Sequence, residues 1–348
     1  MQAASKQSDR QADPLEGNDM KEIRISDREE EQRLDKLLAK YLNKAPKSFL
    51  YKMLRKKNIK LNGKKASGNE KLKSGDVVCI YLADETIATF REEPKAEKTR
   101  ADLSVAYQDS NVLIINKPYG MLSQKSKPSD VSVNELIVPY CLQHGILKES
   151  NLELFRPSIC NRLDRNTTGL LIAGISLEGL QTMAEMLKER TVKKYYYCIV
   201  KGTLKNSSRV SGYIKKDRKE NKVSFSEKAD GSGSRIETAY EPVACGGGFT
   251  LLRVELITGK THQIRAHLAG MGFPLAGDTK YGDREANLWL KRKFGVKHQL
   301  LHCGCLVFPK EMKRCTELSG RTVTAQVPEL FLKTAEELFG SISWELGI

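Results

Sequence analysis

From Leu103 onward the chain is dominated by short runs rich in β-branched and aromatic residues. Examples are Val112-Leu113-Ile114-Ile115-Asn116, Lys194-Tyr195-Tyr196-Tyr197-Cys198-Ile199-Val200 and Phe249-Thr250-Leu251-Leu252-Arg253-Val254-Glu255-Leu256. Runs of this length and composition favour strands. Fewer helical patterns intervene; one is Leu177 to Arg190, with apolar residues at 177, 180, 183, 184 and 187. Strands in series with helices set among them predict an α+β domain on a mostly antiparallel sheet. Gly246-Gly247-Gly248 lies between two strand-like runs with no helix signal after it, so it predicts a hairpin turn and not a phosphate loop. At 348 residues the chain is long for one core and suits two domains with a tail. No apolar run approaches the roughly 18 residues of a membrane helix, so no membrane partner is expected.

Charge is unevenly spread. Between Lys21 and Leu82 stand 17 Lys/Arg against 8 Asp/Glu, which places +9 of the net +15 in under a fifth of the chain. A basic footprint of this kind favours a polyanionic partner. Leu34, Leu37, Leu38, Tyr41 and Leu42 follow a helical period, and Lys47 to Lys56 repeats it with a basic outer face. Ile59-Lys60-Leu61-Asn62-Gly63-Lys64 predicts a strand and turn, and Val77 to Leu82 a further strand. Met1–Asp19 predicts a disordered leader and not an export signal; residues 83–100, charged and without a sustained period, predict a linker. Eight scattered cysteines without a CxxC pair predict reduced thiols in a cytoplasmic protein.

One stretch carries chemistry: Asn161-Arg162-Leu163-Asp164-Arg165-Asn166-Thr167-Thr168-Gly169-Leu170-Leu171-Ile172. A carboxylate between two arginines runs straight into a core element. Taken alone, Asp164 could cap a helix or pair with a neighbouring arginine. The block resembles the active-site motif of the RluA-type family of pseudouridine synthases, in which the aspartate is the catalytic nucleophile. Three further patches resemble that family in the same order: Asn116-Lys117-Pro118-Tyr119-Gly120, Lys194-Tyr195-Tyr196 through Gly202, and Leu256 through Thr261-His262-Gln263-Ile264-Arg265, continuing into Gly277-Asp278 and Tyr281-Gly282. The N-terminal helices and turn resemble the S4 RNA-binding domain, in Arg33-Leu34-Asp35-Lys36-Leu37-Leu38, Asn62-Gly63-Lys64 and Ser74-Gly75-Asp76-Val77.

The resemblance implies an S4-like α/β module over 20–82 and a catalytic domain over 101–348. It implies catalytic roles for Asp164, Arg265 and Tyr196, with Arg265 pairing the aspartate and Tyr196 stacking on the target base. The aspartate would act covalently on the sugar or base, or take a sugar proton. Arg162 stands where the family inserts an arginine beside a flipped nucleotide; a phosphate contact or structural ion pair is equally open. Lys117 orders the site or touches backbone phosphate. Leu256 walls the pocket or is ordinary core. RNA contacts in the basic module are expected from Lys52, Arg55, Lys56, Lys57, Asn62 and Lys64. Asn161, Asn166 and Thr168 depart from the family's usual residues, which bears on substrate preference and supporting hydrogen bonds.

Other chemistries fit poorly. His262 and His267 are five apart, not the i,i+4 pair of a helical zinc site, and the lone Cys303-Gly304-Cys305 lacks a second pair. No Walker or dinucleotide loop occurs, so neither metal nor cofactor is expected. The expectation is a monomeric RNA pseudouridine synthase acting on large-subunit ribosomal RNA. Transfer RNA is the alternative substrate, and a noncatalytic ribosome-assembly factor the alternative class.

Overall fold

Apolar residues at helical and two-residue spacings build the buried cores of the chain. The computed structural model describes residues 20–26, 29–92, 101–217, 222–229 and 233–342. The leader expected over 1–19 lies outside them. The chain divides into two compact units, Met1–Ala96 with Lys148–Arg156, and Glu97–Leu147 with Pro157–Ile348.

In the first unit, helices α1 (Leu34–Tyr41) and α2 (Lys47–Arg55) each bury one stripe: Leu34, Leu37, Leu38 and Tyr41 from α1, Leu50, Met53 and Leu54 from α2. They cover a small sheet of β1 (Met20–Arg24), β2 (Ile59–Leu61), β3 (Lys64–Lys65) and β4 (Val77–Tyr81), in the order β1-β4-β2-β3. Asn62, with φ 49°, and Gly63, with φ 70°, make the β2–β3 turn. Residues 83–92 correct the expected linker. They hold helix α3 (Asp84–Phe90), which drives Ile87 into the first core; one buried anchor suffices where no long period is visible. The rest of that expected linker, 93–100, lies outside the described residues.

The second unit is built on one mixed sheet. Its strands are β5 (Val105–Gln108), β6 (Val112–Lys117), β7 (Ser158–Ile159), β8 (Thr168–Gly174), β9 (Lys193–Lys201), β10 (Ser208–Asp217) and β11 (Lys222–Ser226), followed by β12 (Ser234–Gly246), β13 (Phe249–Leu256), β14 (Leu301–Val307) and β15 (Thr322–Thr324). The main path is β11-β10-β12-β13-β9-β14-β8-β6-β5, with β15 on β14 and β7 on β8. All pairings in it are antiparallel except β8–β14. Around it stand α4 (Val133–Gln143), α5 (Leu177–Glu189), α6 (Gln263–Gly270), α7 (Arg284–Phe294) and α8 (Glu329–Phe339). α5 starts where Ser176 accepts the Gly179 N–H and stops at Arg190 in the left-handed region.

β8 is buried along its whole length and enters the sheet beside β14. There Gly169 has φ +105°, and a Cβ on it would lie 2.2 Å from the Cys303 carbonyl oxygen. Only glycine permits that approach. It places the turn before β8 at the ends of the central strands.

Candidate active site

Asp164 sits in the turn between β7 and β8, and that turn is fastened at several points. The Cys160 N–H donates to the Ile172 carbonyl (2.7 Å), and Asn161 Oδ1 accepts the Ile172 N–H (2.8 Å). Ser123 Oγ accepts the Leu163 N–H (3.0 Å) and donates to the Leu163 carbonyl (2.8 Å). The Thr167 N–H closes the turn on the Asp164 carbonyl (3.1 Å). Lys117 Nζ, fully buried, donates to the carbonyls of Pro118 (3.0 Å), Met121 (2.9 Å) and Arg165 (3.0 Å). Three acceptors match the three N–H bonds of an ammonium. Burial pushes Lys117 down to about 8, and the charge of Asp164 partly offsets this. Its amine therefore orders the turn and is not a phosphate contact, which corrects that expectation.

Arg265, on α6, reaches the same turn. Its Nη1 donates to Asp164 Oδ2 (2.8 Å), while Nε and Nη2 grip Asp278 Oδ2 (2.7 Å) and Oδ1 (3.0 Å). Asp278 is completely buried and also accepts the N–H groups of Lys280 (2.9 Å) and Tyr281 (3.1 Å). Burial alone would raise its carboxyl; the Arg265 hydrogen bonds and charge, with these amides, hold it below the ordinary carboxylate value. Burial likewise opposes the Arg265 charge, but Asp278 and then Asp164 raise it above normal. Arg265 is thus a fixed cation, bidentate to a buried anion, with one N–H aimed at Asp164. Tyr281 lies under the guanidinium, ring centroid 5.2 Å away.

A third group meets Asp164. His262 Nε2 stands 3.9 Å from Asp164 Oδ2. Its Nδ1 is 2.8 Å from the Tyr281 hydroxyl, which accepts the Val223 N–H (2.8 Å). Assigning the hydroxyl proton to Nδ1 sets the imidazole proton on Nε2, toward the carboxylate. Burial lowers the His262 pKa, with Asp164 opposing and Arg265 assisting, which favours this neutral form. His262 itself has φ 54°, a left-handed conformation that a non-glycine residue adopts at a cost. Asp164 is therefore held through Oδ2.

Tyr196 lies on β9 opposite Cys303 of β14 and Val254 of β13. Burial, then the Cys303 thiol, raises its phenol well above the ordinary value, and the Asp164 charge adds to the shift. The alternation is as the pattern predicts: Tyr197 joins the core on the other face, while Tyr195 carries the Arg253 guanidinium 5.1 Å over its ring. At 4% exposure Tyr196 is a wall and not an open platform. Leu256, half-buried, pairs with Thr238 at the end of β13. Arg162 is exposed beside the turn. The three departures all find partners: Asn161 on Ile172, Asn166 Nδ2 on His298 Nδ1 (3.0 Å), and Thr168 Oγ1 on His302 Nδ1 (2.8 Å).

On the first unit Lys52, Arg55, Lys56, Lys57 and Lys64 are exposed. Asn62 is not available in the same way, because its amide donates to Asp76 Oδ1 (2.8 Å) and accepts the Val77 N–H (2.8 Å). These two bonds fix the turn. Sequence reasoning assigned no role to His262, Asp278 or Tyr281. All three lie in patches that matched the family pattern, so the signal was position in the motif, not residue type.

The model of the RNA pseudouridylate synthase family matches residues 111–270, and that of the S4 domain residues 32–78. The chain is 32% identical over 308 residues to ribosomal large subunit pseudouridine synthase C of Buchnera aphidicola, covering 84% of this chain and 90% of that one. It is 29% identical over 283 residues to the protein of the same name from Vibrio cholerae, covering 80% and 85%. The solved structure of human RNA pseudouridylate synthase domain containing 4 shares the fold, with TM-score 0.53 at 21% identity over 68% of this chain and 92% of that one. With a relative 32% identical over most of both chains and a family model over the segment that carries Asp164 and Arg265, the chain belongs to the RNA pseudouridylate synthase family.

Proposed function

We propose that this protein isomerises uridines to pseudouridine in large-subunit ribosomal RNA, with Asp164 as the acting carboxylate. The observation that carries the reading is the grip on one oxygen: Oδ2 faces Arg265 and His262, which leaves Oδ1 to be presented to the nucleotide. The reaction breaks the N1–C1′ bond of uridine and joins C5 to C1′, with the C5 proton lost and N1 regaining one. Nothing is oxidised and no group leaves. Attack on sugar or base and removal of a sugar proton both require an ionised carboxylate, and the Arg265 hydrogen bond fixes the direction in which this one points. Tyr196 and Leu256 wall the pocket, and Arg162 is the exposed arm beside a base displaced from its stack.

The ribosomal substrate is supported by the names of the relatives and by the basic face of the S4 unit, where exposed lysines and Arg55 can meet phosphates. The enzyme would work in the cytosol as a monomer and without a cofactor. The test is a map of pseudouridine in ribosomal and transfer RNA from cells lacking the gene, complemented with wild type or Asp164→Asn. The expected result is loss of ribosomal sites on deletion, restored by wild type alone. Loss confined to transfer RNA would overturn the substrate, and restoration by Asp164→Asn would overturn the role of the aspartate.

A further inference from the structure

Two further segments are fastened to the Asp164 turn. Lys117 ties the Pro118–Met121 turn to Arg165 through the three carbonyl bonds already described. From the other side Asn166 bonds His298, and Gln299 Nε2 donates to Thr167 Oγ1 (3.4 Å). The two segments meet where the Tyr119 ring packs on the His298 ring, centroids 4.7 Å apart at 41°. Tyr119 is 48% exposed, in contrast to Tyr196. An aromatic ring packed against a second ring and open on its outer side keeps one face for a ligand.

His298 is fixed as well. Asn166 has an N–H to give, so Nδ1 accepts it and the imidazole proton stays on Nε2. Burial lowers its pKa, which keeps the ring uncharged. Asn166 and Asp164 belong to one β-turn, so their backbones are within about 7 Å of each other. Arg165, exposed between them, adds a cation at the same edge. This edge is the near neighbour of Asp164 along the turn.

We propose that Tyr119 and His298 form a base-binding platform, which takes by stacking an unpaired nucleobase adjacent to the target uridine. Stacking on an aromatic face is sequence-tolerant, so the platform sets the register of the strand and not the identity of the base. Lys117 then has a defined purpose, since it fixes the distance between the stacking ring and the acting carboxylate. The departure at Asn166 is part of the same device, because an ionised carboxylate there could only accept a hydrogen bond and would move the His298 proton to Nδ1. The proposal rests on the isomerase reading.

The test uses the full chain and a synthetic RNA fragment that spans a mapped uridine. The fragment is made either with natural bases or with one abasic residue at each position flanking the target. The variants are Tyr119→Ala and Tyr119→Phe. Tyr119→Ala should lower kcat/KM about tenfold, through KM, and Tyr119→Phe should stay within about twofold. At one flanking position the abasic residue should cost wild type a similar factor and cost Tyr119→Ala nothing more. Two results overturn the platform: wild-type activity of Tyr119→Ala on the natural fragment, or full additivity of its loss with every abasic residue. Absence of product with wild-type protein on every fragment would instead overturn the isomerase reading.

Discussion

Arg265 is asked to do two things that a lysine could not do together. Its planar fork satisfies Asp278 with two parallel bonds, and the remaining nitrogen is directed at Asp164. In Arg265→Lys a single ammonium must choose, leaving one carboxylate without its partner in a site where Asp278 has no solvent. The expected outcome is a loss of kcat of about 100-fold or more, with a fall in stability of about 2–4 kcal/mol. Turnover on a mapped RNA fragment and urea unfolding would measure both. Tyr281→Phe is gentler. It orphans the Val223 N–H and frees the His262 tautomer, so kcat should fall about tenfold with KM nearly unchanged. An unchanged kcat would show that His262 does not need that hydroxyl. At this scale the sequence was uneven as a guide. Asp164, Arg265 and Tyr196 come together because they lie in motifs whose family role is known. Lys117 leaves two roles open in the sequence, ordering the site or meeting phosphate, since a lysine in a motif does not reveal that three backbone carbonyls will take its ammonium.

Among elements, the junction of β8 with β14 is the most constrained. Gly169→Ala would press a methyl group into the Cys303 carbonyl at a φ that alanine avoids. Because the Cβ is fixed by the backbone and the oxygen belongs to it, no rotamer change relieves the contact. A destabilisation of about 3 kcal/mol or more is expected, with activity falling in parallel as Thr168 and the turn shift. The denaturant midpoint is the measurement, and a wild-type midpoint would contradict the close approach. Long apolar strands such as β6, β9 and β13 were legible because their residue types fit a buried pleat. Helix α3 was not, since seven residues with one buried isoleucine carry too little pattern. Strand β1 escaped notice for a related reason: its burial is confined to Ile23, and its pairing with β4 comes from backbone bonds.

For the whole molecule, two buried imidazoles make stability depend on acidity. His267 and His302 are held down to about 4 by burial, against an ordinary value of 6.5. The unfolded chain thus takes up these protons first as pH falls. The stabilisation is complete above pH 6.5 and is lost progressively on the way to pH 4, by roughly 3 kcal/mol per histidine. Urea midpoints at several pH values should show this decline, and His302→Gln should flatten it. Binding is governed elsewhere. Neutralising Lys52, Arg55, Lys56 and Lys57 with glutamine should weaken RNA binding and reduce the slope of log affinity against log salt by about 3, if each meets one phosphate. An unchanged slope would place the main phosphate contacts off the S4 unit. The position of β14 in the sheet has one more consequence. It lies between β9 and β8, so strands formed from residues 168–201 stay apart until residues 301–307 arrive to fill the gap. Asp164 also waits for Arg265 and Asp278 to be made. During synthesis the basic unit therefore has almost all of its core long before Asp164 meets its arginine. On a nascent chain the S4 domain is in place well before the synthase site is assembled.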